Sequence, residues 1–458
     1  MTHNPMPYRT APQRTAPSDP ATVPTEDPVE DTARTSRTGQ RRTPGATTHH
    51  AAVDTRPHIL VVHRWRDEHA LYENYIDHTT HRVTYVTTEL GWSSLPPAAA
   101  GVVEVTATDD FDQVSAAAAT LTALFGAPDR VVALNEGDLD TAAALRARLG
   151  LPGQPPQDLA RFRDKLVMCE TVGAAGVRTP AFADAPDAAA VRAFAETHGW
   201  PVIVKPRRGT AVGECCASTP PPACPRWTNC PARNGWCRSS VPPGSTTSTA
   251  CGPAVTSAPG APPATSTPAP TSPPGLSSAR RRRTTRSLLD ALGEFTASIA
   301  GPLSAEPWVF HLEVFVGAGP DGRPSLHFLE AGYRVGGVEI PFVWREVRGI
   351  DLMAAAVDVQ LGRRPALTGP KTWHTGGWLL VPTPVPAPCR MIAAEPLTAL
   401  VDGPYAQVVP PAGYVVPRTG GYEHVGARFR FRSLRTREVE SAIAKAAAEF
   451  RLECAAVS

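Results

Sequence analysis

A window of 75 residues, from position 215 to position 289, contains no Asp, Glu or Lys and separates two stretches of ordinary composition. The window holds fifteen of the 50 prolines and six of the nine cysteines of the 458-residue chain. Each proline removes a backbone donor from a β-ladder, so this composition predicts irregular or disordered structure in the window. Any regular fold must therefore be assembled from two separated parts of the chain.

Four interpretations apply to the cysteines of the window, which are Cys215, Cys216, Cys224, Cys230, Cys237 and Cys251. A zinc site is disfavoured because no CxxC pair occurs among them and the window contains no histidine. A disulfide framework or a Pro/Ser/Thr-rich stalk would require secretion. The interpretation we favour is translation out of frame. Residues 244–252, when read from the third base of each codon, can encode Ile-Tyr-His-Val-Asp-Gly-Leu-Trp, which alternates as a strand does.

Charge and hydropathy disfavour several classes of protein. A net charge of +2 argues against a dedicated nucleic-acid-binding protein. No stretch approaches the roughly 18 uninterrupted apolar residues of a membrane helix, so no membrane partner is expected. Residues 1–56 are polar and rich in Thr, Pro and Arg, which predicts a disordered tail without the apolar region of a secretory signal. A cytoplasmic location is expected.

Apolar runs typical of strands alternate with helical patterns from residue 57 to residue 155. The predicted strands are 58–62, 83–87, 102–105 and 131–134, and the predicted helices are 111–125 and 140–149. This alternation indicates a parallel α/β layer. No GxGxxG motif follows the first strand, so this domain is expected to be a substrate or scaffold module and not a dinucleotide site.

The rest of the chain contains helices and a hairpin that carry most of the candidate functional residues. The predicted elements are helices at 158–176 and 188–198, a strand at 201–205, a helix at 288–299, a hairpin with strands at 308–315 and 325–330, and a helix at 436–450.

Lysine is rare, since only Lys165, Lys205, Lys371 and Lys445 occur among the 45 basic residues. A chain so biased towards arginine is expected to keep lysine where a compact ammonium is needed. Lys205 ends a buried strand beside a glycine-containing loop, where an ammonium can face a phosphate, and Lys165 lies in the first of the later helices. Chance survival of a few lysines is the competing explanation.

Glu313 and Glu330 lie on the two strands of the predicted hairpin, so their carboxylates can converge on one face. Such a pair suits Mg²⁺, which takes a few carboxylate ligands and keeps waters and phosphate oxygens. The alternative is a pair of solvated glutamates with arginine partners. Unpaired carboxylates are costly in strands as apolar as these, so metal binding is favoured.

Arg334 follows the second strand in a loop bounded by glycines. A guanidinium can hold a carboxylate or a phosphoryl group through two hydrogen bonds. A salt bridge to Glu330 or Glu339 is the alternative.

Taken in order, these motifs resemble those of the ATP-grasp superfamily. They are the Asp164-Lys165 pair, the strand Val202-Ile203-Val204-Lys205-Pro206, His311-Leu312-Glu313, and Glu330-Ala331-Gly332-Tyr333-Arg334-Val335-Gly336-Gly337. The resemblance covers residues 57–211 and 288–430. It implies an α/β fold in which an α+β ATP-grasp domain at 156–458, interrupted at 212–287, follows a parallel pre-ATP-grasp domain at 57–155.

The resemblance also implies roles for individual residues. Lys165 and Lys205 would contact ATP, Glu313 and Glu330 would hold Mg²⁺, and Arg334 would stabilise an acyl phosphate. Many members of the superfamily have Asn where this chain has Gly332. The phosphate-covering loop and the strand that contacts adenine would both fall within the window at 212–287.

The implied function is an ATP-dependent ligase that joins a small-molecule carboxylate to an amine or a thiol, in a chain compatible with homo-oligomers. Two alternatives remain open. One is an impaired remnant or nucleotide-binding scaffold created by the disrupted window. The other is a carboxylating enzyme similar to biotin carboxylase, which shares the same motifs.

Overall fold

The first part of the chain forms a five-stranded sheet with strand order β1-β4-β3-β2-β5, in which β2 to β5 are parallel. The structure is a computed structural model that describes residues 8–9, 54–65, 69, 71–209, 216–218, 235–239, 246–254, 269–270, 286–319, 322–367, 374–397, 403–418 and 425–457. The elements of this part are β1 (Tyr8–Arg9), β2 (His58–His63), α1 (Tyr72–Tyr75), β3 (Arg82–Thr87), α2 (Glu89–Trp92), β4 (Gly101–Glu104), α3 (Phe111–Phe125), β5 (Arg130–Ala133), a 3₁₀ turn (Glu136–Asp138) and α4 (Leu139–Leu149). The predicted parallel layer is confirmed.

Two residues of the tail that was predicted to be disordered are instead in the sheet. Tyr8–Arg9 pairs in antiparallel fashion with Val102 and Val103 of β4. The edge of β4 that faces away from β3 presents backbone donors and acceptors, which a short passing segment can satisfy. Apart from this strand and residues 54–56, the predicted tail lies outside the described residues.

The next elements form a small sheet with strand order β6-β9-β7-β8. They are α5 (Pro156–Arg163), α6 (Lys165–Ala174), β6 (Phe182–Ala185), α7 (Ala188–His198), β7 (Val202–Pro206), β8 (Cys216–Ser218) and β9 (Gly235–Ser239). The single helix predicted at 158–176 is two helices. Asp164 adopts an extended conformation (φ −106°, ψ 112°), and its side chain caps α6 by accepting from the backbone N–H groups of Leu166 and Val167. An N-cap residue cannot also continue the preceding helix, so α5 ends there.

A second antiparallel sheet, with strand order β11-β10-β12-β13, contains the predicted hairpin. Its elements are β10 (Thr246–Ala254), β11 (Ala269–Pro270), α8 (Arg286–Leu303), β12 (Trp308–Ala318) and β13 (Pro324–Gly332). One side of the sheet packs on α5, α6 and α8 through a core that includes Phe162, Val172, Leu292, Trp308 and Phe328. The hairpin and α8 confirm the sequence-based prediction.

The structure differs from the prediction of irregular structure at four segments of the window, namely β8, β9, β10 and β11. The longest of them, β10, pairs with β12 over nine residues, from Thr246 opposite Val316 to Ala254 opposite Trp308. The edge of β12 requires backbone partners, and the run of Thr and Ser at the start of β10 favours an extended conformation. β10 overlaps residues 244–252, whose alternative frame also encodes a strand. The phosphate-covering loop expected in the window lies outside the described residues.

The last part of the chain adds two three-stranded sheets, β14-β18-β16 and β17-β15-β19. Its elements are α9 (Ile340–Val343), a π-helical turn (Trp344–Arg348), α10 (Leu352–Gln360), β14 (Thr375–Val381), β15 (Cys389–Ala394), β16 (Ala406–Val408), β17 (Val415–Val416), β18 (Ala427–Ser433), α11 (Thr436–Glu449) and β19 (Leu452–Ala456).

The parallel sheet is covered on both faces, but by different parts of the chain. Leu60, Val62 and their neighbours pack against α3 and α4. Ile59, Val61 and Tyr85 on the opposite face pack against Trp344 and against α10. A parallel sheet needs both faces covered, and here the later part of the chain supplies the second cover. The loops at the carboxyl end of this sheet thereby come close to the β12–β13 hairpin.

In the part of the chain that the structure describes, no helix combines the length and apolar character needed to cross a membrane.

Candidate active site

The register of the hairpin places Glu313 of β12 directly opposite Glu330 of β13. A β-bulge follows Glu313, where the register shifts between Glu313 and Val314. Side chains of directly opposite residues have Cβ atoms about 4.5–5.5 Å apart, and like charges in that position repel. The predicted convergence of the two carboxylates is therefore confirmed, and the pair requires cations nearby.

Basic groups lie on both sides of this glutamate pair. Nζ of Lys165 is 3.5 Å from Oε1 of Glu330. Nε2 of His311 is 3.3 Å from Oε1 of Glu313. Burial of Glu313 opposes its ionisation, but the hydrogen bond from His311 and the charges of Lys205 and Arg334 outweigh this and hold its pKa below the usual range. The structure thus brings five residues from three segments of the chain to one site.

Asp164 and Arg207 hold the two candidate lysines in place. The guanidinium of Arg207 donates to both carboxylate oxygens of Asp164, with an Nη2–Oδ2 distance of 2.7 Å and an Nε–Oδ1 distance of 3.0 Å. The backbone N–H of Lys165 donates to the carbonyl of Arg207 at 2.9 Å. The first turn of α6, which carries Lys165, is thereby fastened to the end of β7, which carries Lys205.

Arg334 reaches neither Glu330 nor Glu339, the partners considered from the sequence. Its Nε donates to Oε2 of Glu136 at 2.5 Å, and its Nη1 donates to the carbonyl of Val335 at 3.0 Å. Glu136 lies in the 3₁₀ turn after β5. The predicted site therefore receives a residue from the preceding domain.

Glu136 also binds Arg163, the last residue of α5, with an Nη1–Oε1 distance of 2.6 Å. Burial of Glu136 opposes its ionisation, but Arg334 and Arg163 outweigh this, so its pKa lies below the usual range. Sequence analysis missed both Glu136 and Arg163. The one available signal was the position of Glu136 just beyond the carboxyl end of a parallel strand, where α/β folds bind ligands.

The donor set suits Mg²⁺ better than a metal that needs a protein cage. Among the described residues there is no group of three or more His, Cys, Asp or Glu side chains able to hold a metal. Mg²⁺ is commonly held by one or two carboxylates together with phosphate oxygens and water. Two opposed glutamates next to two lysines fit that pattern, since each type of group would face part of a metal-bound phosphate.

The arrangement of the sheets matches solved structures over most of the chain. A crystal structure of L-amino acid ligase from Bacillus licheniformis aligns with 87% of this chain and 98% of its own, with a TM-score of 0.63 and 15% sequence identity. The chain has the ATP-grasp fold. Phosphoribosylglycinamide synthetase from Anaerococcus prevotii aligns with a TM-score of 0.57 at 11% identity, over 87% of this chain and 99% of its own.

This ATP-grasp chain is also similar to the biotin carboxylase domain of Hydrogenobacter thermophilus 2-oxoglutarate carboxylase, solved with MgADP and bicarbonate. The TM-score is 0.59 at 12% identity, over 87% of this chain and 90% of that chain. No protein-family model matches the sequence, and no curated protein sequence matches it significantly. Similarity at these identities establishes the fold, and the site residues must carry the functional argument.

Proposed function

We propose that this chain is an ATP-dependent ligase that joins a carboxylate to an amine or a thiol through an acyl-phosphate intermediate. The observation that carries the proposal is the direct opposition of Glu313 and Glu330, with Lys165 at 3.5 Å from the second glutamate. Two of the similar structures are an amino acid ligase and a synthetase, which supports the same class of reaction.

In this proposal each side chain has a defined role. Glu313 and Glu330 would hold Mg²⁺, which supplies charge neutralisation and alignment of the phosphates. Lys165 and Lys205 would bind phosphate oxygens. Arg334 would stabilise charge on the transferring phosphoryl group and on the acyl phosphate, because a positioned guanidinium binds the oxyanion that develops there.

The reaction would proceed in two transfers. A carboxylate oxygen of the substrate attacks the γ-phosphorus of ATP, the bond from that phosphorus to the β–γ bridging oxygen breaks, and ADP leaves. The amine nitrogen, or a thiol sulfur, then attacks the acyl carbon, inorganic phosphate leaves, and the nucleophile loses a proton. Catalysis in such transfers comes mainly from positioning and charge stabilisation.

Nucleotide-binding calorimetry tests the glutamate assignment. Glu330→Gln should weaken ADP binding in the presence of Mg²⁺ at least about 10-fold, a loss that even indirect partners of a metal produce. Binding without Mg²⁺ should change little. The matched control is Glu438→Gln, on the exposed side of α11 and paired only with nearby surface groups. An unchanged Mg²⁺ effect in Glu330→Gln would remove the metal assignment.

Phosphate release with panels of carboxylic acids and amines tests the reaction itself. Release that requires both an acid and an amine or thiol supports the ligase. Release that requires bicarbonate instead would favour a carboxylating enzyme, which the similarity to a biotin carboxylase domain makes the second candidate. Nucleotide binding without any turnover would favour a nucleotide-binding scaffold and overturn the ligase.

A further inference from the structure

Glu136 is a buried carboxylate at the junction between the parallel sheet and the candidate site. Its side chain is 11% exposed, and its partners Arg163 and Arg334 are 9% and 21% exposed. Asn135 shapes the turn that carries it, since its side chain accepts from the backbone N–H of Gly137 at 2.9 Å. The carboxylate is therefore held at a defined place by the preceding domain.

Each oxygen of this carboxylate binds a different part of the candidate site. Oε1 accepts from Arg163, which immediately precedes the Asp164-Lys165 pair, and Oε2 accepts from Arg334, four residues after Glu330. Lys165 adds a favourable charge interaction with the same carboxylate. One side chain thus sets the distance between the start of α6 and the loop that follows β13.

The ion pairs are not needed to attach the preceding domain. The sheet is already joined to the later part of the chain by a large apolar core that contains Val61, Tyr85, Trp344 and Leu352. Buried ion pairs contribute little net stability compared with apolar residues of similar volume, because both charges lose their hydration. An orienting role accounts better for a carboxylate that binds two arginines of one site.

We infer that Glu136 is a positioning residue for the ligase reaction, which aligns Arg334 with Lys165 through its two ion pairs. The inference rests on the proposed function. Glu136 itself does not touch the reacting atoms in this scheme; it acts through Arg334. The preceding domain therefore contributes to the chemistry of the site and does not serve only as a scaffold.

Variants of Glu136 separate this role from simple structural support. In Glu136→Gln the amide oxygen can accept from one arginine, but the amide nitrogen would face the other. Glu136→Asp retains the charge but is too short to bridge both. We expect kcat to fall about 100-fold in the Gln variant, in line with the cost of small misplacements, and less in the Asp variant. KM for ATP should stay unchanged, since the lysines remain.

The matched control is Asp140→Asn. Asp140 contacts the same Arg163, at 3.3 Å from its Nε, but the structure shows no bond between Asp140 and Arg334 among the described contacts. This variant should keep kcat close to that of the wild type. An equal loss of kcat in Asp140→Asn and Glu136→Gln would show a general effect of disturbing Arg163 and would overturn the inference.

A spectroscopic measurement on the full chain does not depend on turnover. The Hε proton of Arg334 donates to Glu136, so its ¹⁵N–¹H signal, assigned by its loss in Arg334→Lys, should exchange slowly with water. Exchange should become faster in Glu136→Gln and remain slow in Asp140→Asn. The Glu136→Asp variant provides the same comparison if the Gln variant does not fold.

The outcomes distinguish the two proposals. No turnover in the wild type with any acid and nucleophile would overturn the ligase, while the exchange of the Arg334 signal would still decide whether Glu136 positions it. Turnover that is lost in Arg334→Lys but unchanged in Glu136→Gln would overturn the inference alone. Unchanged exchange in both Glu136 variants would also overturn it.

Discussion

Two buried glutamates lie on either side of the Arg334 loop, and each binds two arginines, yet their pKa values are shifted in opposite directions. Glu136 binds Arg163 and Arg334, and its pKa lies below the usual range because these charges outweigh the effect of burial. Glu339 lies near Arg428 and Arg430, and its pKa lies above the usual range because burial outweighs their charges. The number of arginine partners therefore does not decide the charge state.

Distance and solvent access account for the difference. The N–O distances at Glu136 are 2.6 and 2.5 Å, whereas those at Glu339 are 3.3 and 3.2 Å. The Glu339 side chain is 2% exposed, against 11% for Glu136. Removal from water disfavours the ionised form, and attraction to a cation falls with distance, so both factors favour ionisation of Glu136.

A neighbouring carboxylate adds to the contrast. Glu346 shares Arg430 with Glu339, and its like charge further raises the pKa of Glu339. Tyr405 also donates to Glu346, at 3.0 Å, and helps to hold that carboxylate in place. The Glu339 cluster thus resembles a structural anchor between β18 and the segment after Arg334, while Glu136 is a committed anion.

The largest effect is expected from neutralising Glu136. Glu136→Gln should lower the free energy of unfolding by about 3 kcal/mol near neutral pH, because it leaves two nearly buried arginines without a full counter-charge. Urea denaturation of wild type and variant measures the difference, with Glu438→Gln as an exposed control. A loss below about 1 kcal/mol, as for surface pairs, would break the comparison.

The pH dependence of that difference should follow the lowered pKa of Glu136. A depressed folded-state pKa adds stability that is complete above the ordinary value of 4.5 and is lost as the pH falls through the folded-state value. The stability difference between wild type and Glu136→Gln should therefore stay constant from neutral pH to about pH 5 and shrink below the ordinary value. Denaturation curves across this range would contradict the assignment if the difference grew on acidification.

A smaller effect, with the opposite pH trend, is expected at Glu339. Glu339→Gln should cost about 1 kcal/mol or less near neutral pH, because the buried charge that it removes is poorly compensated. A raised folded-state pKa means that the folded protein binds a proton more readily than the unfolded chain. Wild type should thus gain stability relative to the variant as the pH falls through the folded-state pKa. The same denaturation series measures this, and parallel trends for the two glutamates would remove the distinction.

Local patterns were sufficient for much of the candidate site. The alternation of β12 and β13 and the short turn between them predicted a hairpin, and the register then places Glu313 opposite Glu330. Neighbouring strands joined by a short turn have few alternative pairings, so sequence determines their contacts. The approach of Lys165 to this pair was implied only by the resemblance to a family, since the lysine and the hairpin are far apart in the chain.

Contacts between distant segments were not predictable from those patterns. Arg334 binds Glu136, which is 198 residues earlier, and the sequence suggested partners only from its own neighbourhood. The helical pattern through Asp164 continued without interruption, but the structure breaks the helix there because the Asp164 side chain caps α6 and binds Arg207. In both cases a polar side chain satisfies groups that only the folded chain brings near.

The sequence by itself determined the parallel layer, the hairpin and the residue types of the site, because hydrophobic periodicity and turn chemistry act over short stretches of chain. Only the tertiary structure decided that β10 pairs with β12 despite its composition, and that α10 covers the parallel sheet. It also decided which of two similar glutamates carries a stable charge. These outcomes depend on unsatisfied strand edges, burial and distances between charges, which are properties of the assembled chain.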